Sequence, residues 1–147
     1  MKKIGFVLFA LLLFNFSFAN DYSQDKIRNA KFSDLPQMSQ DFIKKYLSTL
    51  TIEEITVEGT RKAEVDFTDG TDLEFGKDGY WRTIENERGI PLTHLQMLPG
   101  QMLTSLKDDF GQYVIKEVER KDVLYEVELM GKKEIKIRYD LNGQYLY

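Results

Sequence analysis

The feature that most constrains the fold of this chain is a pattern of residues that occurs twice along it. A Leu-Pro pair, a Glu-Val pair and a glycine-containing turn each recur at an offset of about 63 residues, as expected for a duplicated unit. The recurring residues are Leu35-Pro36 and Leu98-Pro99, Glu64-Val65 and Glu126-Val127, and Gly79 and Gly143. The small drift in the offset falls in turns, where insertions are tolerated. We therefore predict two divergent copies of one unit, residues 33–85 and 98–147, joined by a connector over residues 86–97.

Each copy begins with a helix-like spacing and continues with strand-like segments. Apolar side chains recur on one helical face from Met38 to Leu50 in the first copy and from Met102 to Phe110 in the second. Apolar and polar residues then alternate over residues 62–67 and 123–129, which is typical of half-buried antiparallel strands. The predicted fold class is α+β. It consists of a tandem duplicated α-β-β-β-β unit, with two helices packed on one face of an antiparallel sheet of about eight strands.

The stretch "DLEFGKDGYWRTIE", residues 72–85, allows two hairpin registers. A two-residue turn at Asp78-Gly79 would place Trp81 on the polar face. A three-residue loop with a left-handed glycine instead pairs Phe75 with Trp81. We favour the three-residue loop because a slip by one residue would move the whole apolar set into water.

This register determines which side chains face the core. It places Trp81 in the core, sets Glu74 opposite Arg82 on the outer side, and leaves Ile84 outside near the end of its strand. The corresponding pairs of the second copy are Tyr139 with Tyr145 and Ile137 with Tyr147.

The first residues of the chain indicate export. The segment "MKKIGFVLFALLLFNFSFAN" opens with two lysines, continues with an apolar run shorter than the roughly 20 residues that span a bilayer, and closes with a small-x-small pattern. We predict a signal peptide over residues 1–19, cleaved after Ala19, and a loose N-terminal arm over residues 20–32. The chain contains no cysteine, which excludes disulfides and zinc thiolates. We expect a periplasmic or secreted protein, monomeric or dimeric, with no membrane span after cleavage.

Catalytic and cofactor sites find little support in the sequence. His94 is the only histidine and lies in the connector, so a site of several histidines is excluded and a Ser-His-Asp triad would depend on one loop residue. The segment "DFTDGTD", residues 66–72, lacks the acid order of a calcium loop and fits a hairpin turn at Asp69-Gly70. The net charge of −4 disfavours nucleic acid as a partner. We predict that the protein is not an enzyme and has no cofactor or metal site.

The duplicated Leu-Pro and helix pattern, with "DLEFGKDGYW" and the connector "IPLTHLQMLP", resembles the PepSY-like, beta-lactamase-inhibitor-like family of small exported bacterial proteins. The resemblance covers residues 33–147 and implies a single domain with helices on one antiparallel sheet, in a family without established enzymatic activity. PepSY domains are associated with restraining proteases, and beta-lactamase inhibitors of similar architecture dock an enzyme on the open face of the sheet. The resemblance supplies no functional residue.

We expect the uncovered sheet face to be the functional surface of a non-enzymatic protein-binding or inhibitory module. Its partner would be another envelope or secreted protein, and tyrosine and arginine are common interface anchors. The predicted binding residues are Glu74, Tyr80, Arg82, Glu126, Glu128, Lys136 and Arg138. The same face is expected to carry Glu64, Asp66 and Leu146. A face that is only solvated is an open alternative for each of them.

An alternative function is that of an envelope sensor that binds a small ligand or a cation. It would use the connector around His94 or the acidic turn near Asp69.

Overall fold

The computed structural model describes residues 27–59 and 62–147, so the predicted signal peptide and its cleavage after Ala19 lie outside the described residues. The described residues form one antiparallel sheet in which β1 to β8 are neighbours in chain order. The strands are β1 (Ile27–Asn29), β2 (Ile52–Glu58), β3 (Lys62–Phe67), β4 (Asp72–Gly76), β5 (Trp81–Glu85), β6 (Val114–Arg120), β7 (Leu124–Met130) and β8 (Glu134–Asp140). The helices are α1 (Gln37–Tyr46) and α2 (Gly100–Asp108).

Helix α1 packs on the middle of the sheet through one apolar stripe. Ile43 and, directly after the helix, Leu47 are buried. The ring of Phe42 lies 5.8 Å from the ring of Phe75 on β4 and 6.1 Å from Trp81 on β5. Aromatic pairs at these distances add about 0.5–1.5 kcal/mol to the free energy that comes from burial alone.

Helix α2 packs on the same face of the sheet, beside β8. Met102 and Leu106 are buried on its inner side. The hydroxyl oxygens of Ser105 on α2 and Tyr139 on β8 lie 3.1 Å apart, which satisfies a phenol that is otherwise buried. Both helices therefore cover one face, and none of the described elements packs on the opposite face.

The predicted α+β class is confirmed, although the eight strands are not the expected eight. Strand β1 comes from the segment that we expected to be a loose arm, and it pairs with β2. After β8, the chain returns along that strand without forming a further strand, and pairs with it through the bridge between Tyr139 and Tyr145 and neighbouring backbone hydrogen bonds. The tandem duplication itself stays a prediction.

The three-residue loop of the first hairpin is confirmed, and with it the core position of Trp81. Phe75 pairs with Trp81, whose exposed fraction is 7%. Our expectation that Ile84 lies outside is wrong, because Ile84 is fully buried opposite Leu73. The reason is a β-bulge at Arg82, an extra residue that returns the rest of β5 to the core phase. Consequently the partner of Glu74 is not Arg82.

The C-terminal segment after β8 shows the same deviation. Tyr139 pairs with Tyr145 as predicted, with ring centroids 5.7 Å apart. The predicted pair of Ile137 with Tyr147 is wrong, because the amide of Arg138 donates to the carbonyl of Tyr147 at 2.8 Å. The carbonyl of Arg138 also accepts from the amide of Leu146 at 2.8 Å, so two residues oppose one.

Two further bulges follow a spacing that is visible in the sequence. Between Ile52 and Ile55, and again between Ile115 and Val118, core side chains stand three residues apart rather than two. A strand of period two cannot bury both residues of such a pair. Register shifts between Ile52 and Glu54 and between Ile115 and Glu117 resolve the conflict.

The turn of the first hairpin lies under the start of α1. Gly79 has a φ of 80°, and its carbonyl accepts a buried hydrogen bond of 2.9 Å from the hydroxyl of Ser39. A Cβ on Gly79 would lie 3.1 Å from Cβ of Pro36. The turn therefore needs glycine both for its backbone conformation and for the close approach of the helix.

We predict that Gly79→Ala lowers the free energy of unfolding by about 1–2 kcal/mol, because the left-handed conformation costs a side chain that amount. The measurement is the midpoint of urea unfolding. Gly100→Ala is the matched control, since a Cβ at Gly100 meets no atom within 4 Å and alanine favours the helix. Equal midpoints for the two variants would contradict this account of the turn.

Candidate functional site on the open sheet face

A row of carboxylates crosses the open face of the sheet. Each acid lies directly opposite the next one on the neighbouring strand, from β2 to β7. We call this set the acidic row, and it consists of Glu54, Asp66, Asp72, Glu85, Glu117 and Glu128. With neighbouring strands about 4.8 Å apart, the row is about 24 Å long. It ends opposite Lys136 on β8.

A second row runs parallel to the first and is less uniform. It begins with Thr56 and ends with Arg138, and Thr83 interrupts it at β5. Its acids are Glu64, Glu74, Glu119 and Glu126. An acid on this face therefore has other acids as neighbours, both on the adjoining strands and two residues away on its own strand.

Four of the predicted site residues come together at the β7–β8 end of this face. Nε of Arg138 donates to Oε2 of Glu126 at 2.9 Å, and Nζ of Lys136 lies 3.3 Å from Oε2 of Glu128. Nζ of Lys121 joins the network at 3.4 Å from Oε1 of Glu126. The hydrogen bond from Arg138 is the main reason that the pKa of Glu126 lies below its usual range. Nζ of Lys121 also lies 3.3 Å from Oε2 of Glu119, so the network consists of three cations and three carboxylates.

The other three predicted residues lie near the hairpin end of β4 and β5 and do not form one cluster with the network. Nζ of Lys62 lies 3.6 Å from Oε1 of Glu74. The side chain of Tyr80 is 47% exposed, and the Arg120 guanidinium stands 5.6 Å from the centre of its ring. The guanidinium of Arg82 donates to Asp78 at 2.6 Å.

Arg82 occupies space that the absence of a side chain at Gly76 leaves open. A Cβ on Gly76 would lie 3.0 Å from Nε of Arg82 and 2.9 Å from Oδ1 of Asp78. The ion pair between Arg82 and Asp78 therefore covers the outer surface at Gly76. Tyr80 is the exposed aromatic side chain of this hairpin.

The middle of the acidic row has no such neutralising partners. Asp66, Asp72 and Glu85 form no ion pair with any cation among the described residues, and Oδ1 of Asp66 is buried without a hydrogen bond there. The nearest lysine on this part of the face, Lys116, directs its ammonium to Glu87 at 3.5 Å. Like charges placed directly opposite each other on a sheet are destabilising.

The titration of these acids reflects the arrangement. Partial burial, followed by the negative charge of neighbouring acids, raises the pKa of five carboxyl groups above their usual values. They are Glu64, Asp66, Asp72, Glu85 and Glu117. The central carboxylates thus experience both incomplete hydration and mutual repulsion.

Most of the acidic row was missing from the sequence-predicted site. The sequence-based assignment lacks Glu85 and Glu117 because it does not predict the bulges that set the phase of β5 and β6. It also lacks Asp72, although Asp72 stands two residues before Glu74 on β4 and regular alternation places both on the same face. The signal was present in the apolar pairs Trp81 with Ile84 and Ile115 with Val118, which stand three residues apart.

The two parts of the alternative ligand site are neighbours in space. Nδ1 of His94 lies 4.0 Å from Oδ2 of Asp69. The Asp69 carboxylate already accepts hydrogen bonds from the amide and the hydroxyl of Thr71, and its backbone carbonyl accepts one from Arg88. No group of three or more metal-ligating side chains occurs in the parts of the chain that the structure describes.

We predict that the protein is more stable at about pH 5 than at about pH 8. An acid whose pKa is raised on folding stabilises the native state when protonated, and this contribution is lost as the pH rises through the folded-state pKa. The raised pKa values of Asp72 and Glu85 set this direction. The acids with lowered pKa values, such as Glu126, lose their stabilisation only below about pH 4. The measurement is the melting temperature across this range.

A matched pair of variants isolates the cause. Glu85→Gln relieves repulsion and should raise the free energy of unfolding at pH 8 by about 0.2–1 kcal/mol. Glu126→Gln removes the negative charge that Arg138 and Lys121 face, leaving a neutral amide acceptor, and should lower the free energy of unfolding by about 1 kcal/mol. A decrease for both variants, or a melting temperature that does not change between the two pH values, would refute this electrostatic account.

The fold is shared with solved structures of bacterial periplasmic proteins. One is a putative calcium-regulated periplasmic protein of Bacteroides thetaiotaomicron, with a TM-score of 0.68, 22% identity, and coverage of 82% of this chain and 94% of the other. Two periplasmic proteins of Bacteroides vulgatus have TM-scores of 0.67 at 23% and 22% identity. They match 84% and 83% of this chain and 96% and 98% of their own lengths. At this level of identity the likeness establishes a common fold.

No curated protein matches the chain. A family model described as "Putative beta-lactamase-inhibitor-like, PepSY-like" matches residues 61–146. The match spans both halves of the sheet, from β3 to the segment after β8. Because it extends over more than half of the chain, the protein belongs to the PepSY-like, beta-lactamase-inhibitor-like family.

Proposed function

We propose that this protein is an exported, non-enzymatic binding or inhibitory module that recognises another envelope or secreted protein through the open face of its sheet. The observation that carries the proposal is the set of acids held in register on a face that no described element covers. The repulsion among these acids lowers stability, and a charge-complementary partner would relieve it.

Export is supported by the signal-like N-terminal segment and by the periplasmic proteins that share the fold. Within the described residues, no helix is long and apolar enough to cross a membrane. The proposed location is the periplasm or the exterior of the cell, with residues 1–19 acting as the signal peptide for export.

The hydroxyl groups of two helical serines support a non-enzymatic role. Ser39 is fully buried and donates to the carbonyl of Gly79. Ser105 donates to the carboxylate of Asp109 and contacts Tyr139. Both hydroxyls hold the helices in place, and their hydrogen-bond partners among the described residues do not include His94, the only histidine of the chain.

We predict that a photo-crosslinking residue at Tyr80 captures a protein in the cell envelope, because this exposed ring lies at the rim of the open face. The matched control is the same residue at Gln101, which is exposed on α2 on the covered side. Adducts are detected by mass spectrometry of the purified crosslinked protein. Supporting adducts form at Tyr80 alone and weaken when Asp72→Asn and Glu85→Gln together remove the middle of the acidic row. Identical adduct patterns at the two positions would count against the proposal.

A second candidate function is a sensor of a cation or a small ligand. It is favoured by Nδ1 of His94, which is buried without a hydrogen bond beside Asp69. One protein with the same fold is described as calcium-regulated.

A thermal-shift experiment separates the two functions. A ligand of the native state present at 100 times its dissociation constant stabilises by about 2.7 kcal/mol. If the open face binds a protein and no cation, millimolar calcium or zinc should leave the melting temperature equal to that in sodium chloride of the same ionic strength. A rise that His94→Ala or Asp69→Asn abolishes would favour the sensor.

A further inference from the structure

Charges on the open face are segregated rather than mixed. Three of the described cations that form ion pairs on this face, Lys121, Lys136 and Arg138, gather around Glu126 and Glu128 at its β7–β8 end. Lys116 pairs with Glu87. Lys62 forms an ion pair with Glu74 on the part of the face that β3 and β4 form. Between these points Asp66 on β3, Asp72 on β4 and Glu85 on β5 form no ion pair with a cation among the described residues, whereas Lys136 partly offsets the charge of Glu117 on β6. The centre of the face therefore presents a band of negative potential.

The position of Asp66 shows that this band is not merely solvated. Its Oδ1 atom is buried and accepts no hydrogen bond from the described residues. Its cross-strand neighbours on both sides, Glu54 and Asp72, are also acids. Asp66 is half-buried, so one oxygen of its carboxylate lacks the hydrogen bond that its charge favours. A cation supplied by a binding partner would stabilise this carboxylate.

The spacing of the carboxylates indicates what kind of cation fits. They advance in steps of about 4.8 Å over about 24 Å, one per strand, instead of converging on a point. This agrees with the lack of a three-ligand metal group among the described residues. A compact ion could neutralise one step of the row, whereas a chain of linked cations could neutralise all of it. An extended polypeptide of about seven residues covers the same length.

Lysine and arginine suit such a contact because their long aliphatic stems can lie on the sheet while the charged groups reach the acids. Lys136 stands at the end of the row and would repel a further cation. It would therefore limit the bound segment to the part of the row between β2 and β7.

We propose that the acidic row binds a lysine- or arginine-rich segment of the partner protein. This inference rests on the proposed function, since it names the chemistry of the partner that the open face recognises. The partner carries basic side chains along one exposed element, and these side chains replace the counter-charges that Asp66, Asp72 and Glu85 lack within the described chain.

The test is calorimetric titration with two synthetic eight-residue peptides, one of alternating lysine and alanine and one of alternating glutamate and alanine. The lysine peptide should bind and the glutamate peptide should not. Binding should weaken as sodium chloride is raised from 20 to 300 mM, because salt screens charges at a surface. Spermine and calcium serve as further titrants.

Two double variants with the same change in net charge give the control. Asp72→Asn with Glu85→Gln removes the middle of the row and should weaken the lysine peptide about tenfold. Asp41→Asn with Asp108→Asn removes two exposed acids from the helices on the other face and should leave the affinity unchanged. Unfolding curves of both variants verify that they fold.

Equal weakening by both double variants would overturn the inference, because it would show attraction by net charge alone. Absence of peptide binding, or tighter binding of calcium or spermine that only the row variant abolishes, would also overturn it. In these cases the crosslinking result at Tyr80 separates the two claims. A partner captured there without affinity for basic peptides leaves the binding module intact and refutes only its preference for a basic partner.

Discussion

The register of the sheet is the constraint on which the rest of this structure depends. A single continuous sheet carries the core on one face, so every strand must keep its apolar residues in phase with its neighbours. Three strands break the period of two in their own sequence, and each carries a bulge at the break. Without the bulge at Arg82, either Trp81 or Ile84 would face water. Burying a side chain of that size contributes about 1.5–3 kcal/mol, which exceeds the local cost of an unpaired residue.

The same register produces the electrostatic character of the opposite face. Once the bulges have brought the apolar residues into phase, the residues between them are brought into phase as well, and most of these are acids. The alignment of Asp72 with Glu85 and of Glu85 with Glu117 is therefore a consequence of core packing. The free energy gained by packing the core exceeds the cost of this repulsion. The open face therefore presents carboxylates at a fixed spacing. A rigid scaffold that presents such a surface is suited to recognition.

Much of the fold could be predicted from the sequence because its signals are local. Helical spacing located α1 and α2, regular alternation located β3 and β7, and turn glycines placed the hairpins. The pairing of Phe75 with Trp81 followed from comparing two loop lengths. The bulges are not predicted, because they depend on which core contacts the folded strands make together. Strand β1 is not predicted either, because it forms only by pairing with β2, which is distant in sequence. The predicted site contains the β7–β8 residues Glu126, Glu128, Lys136 and Arg138, whose strands alternate regularly, but lacks Glu85 and Glu117, whose phase depends on bulges. Asp72 is also absent from it, although regular alternation with Glu74 on β4 indicates its position.

The central claim is that core register holds a set of carboxylates in mutual repulsion across the open face. Carbon-detected NMR titration of the Asp and Glu carboxyl groups tests it directly, residue by residue. The account predicts that Asp72, Glu85 and Glu117 titrate above the usual values for their residue types, while Glu126 titrates below them. Titration of all four groups at ordinary values would contradict the account, since it would show that the aligned acids neither lose hydration nor affect one another.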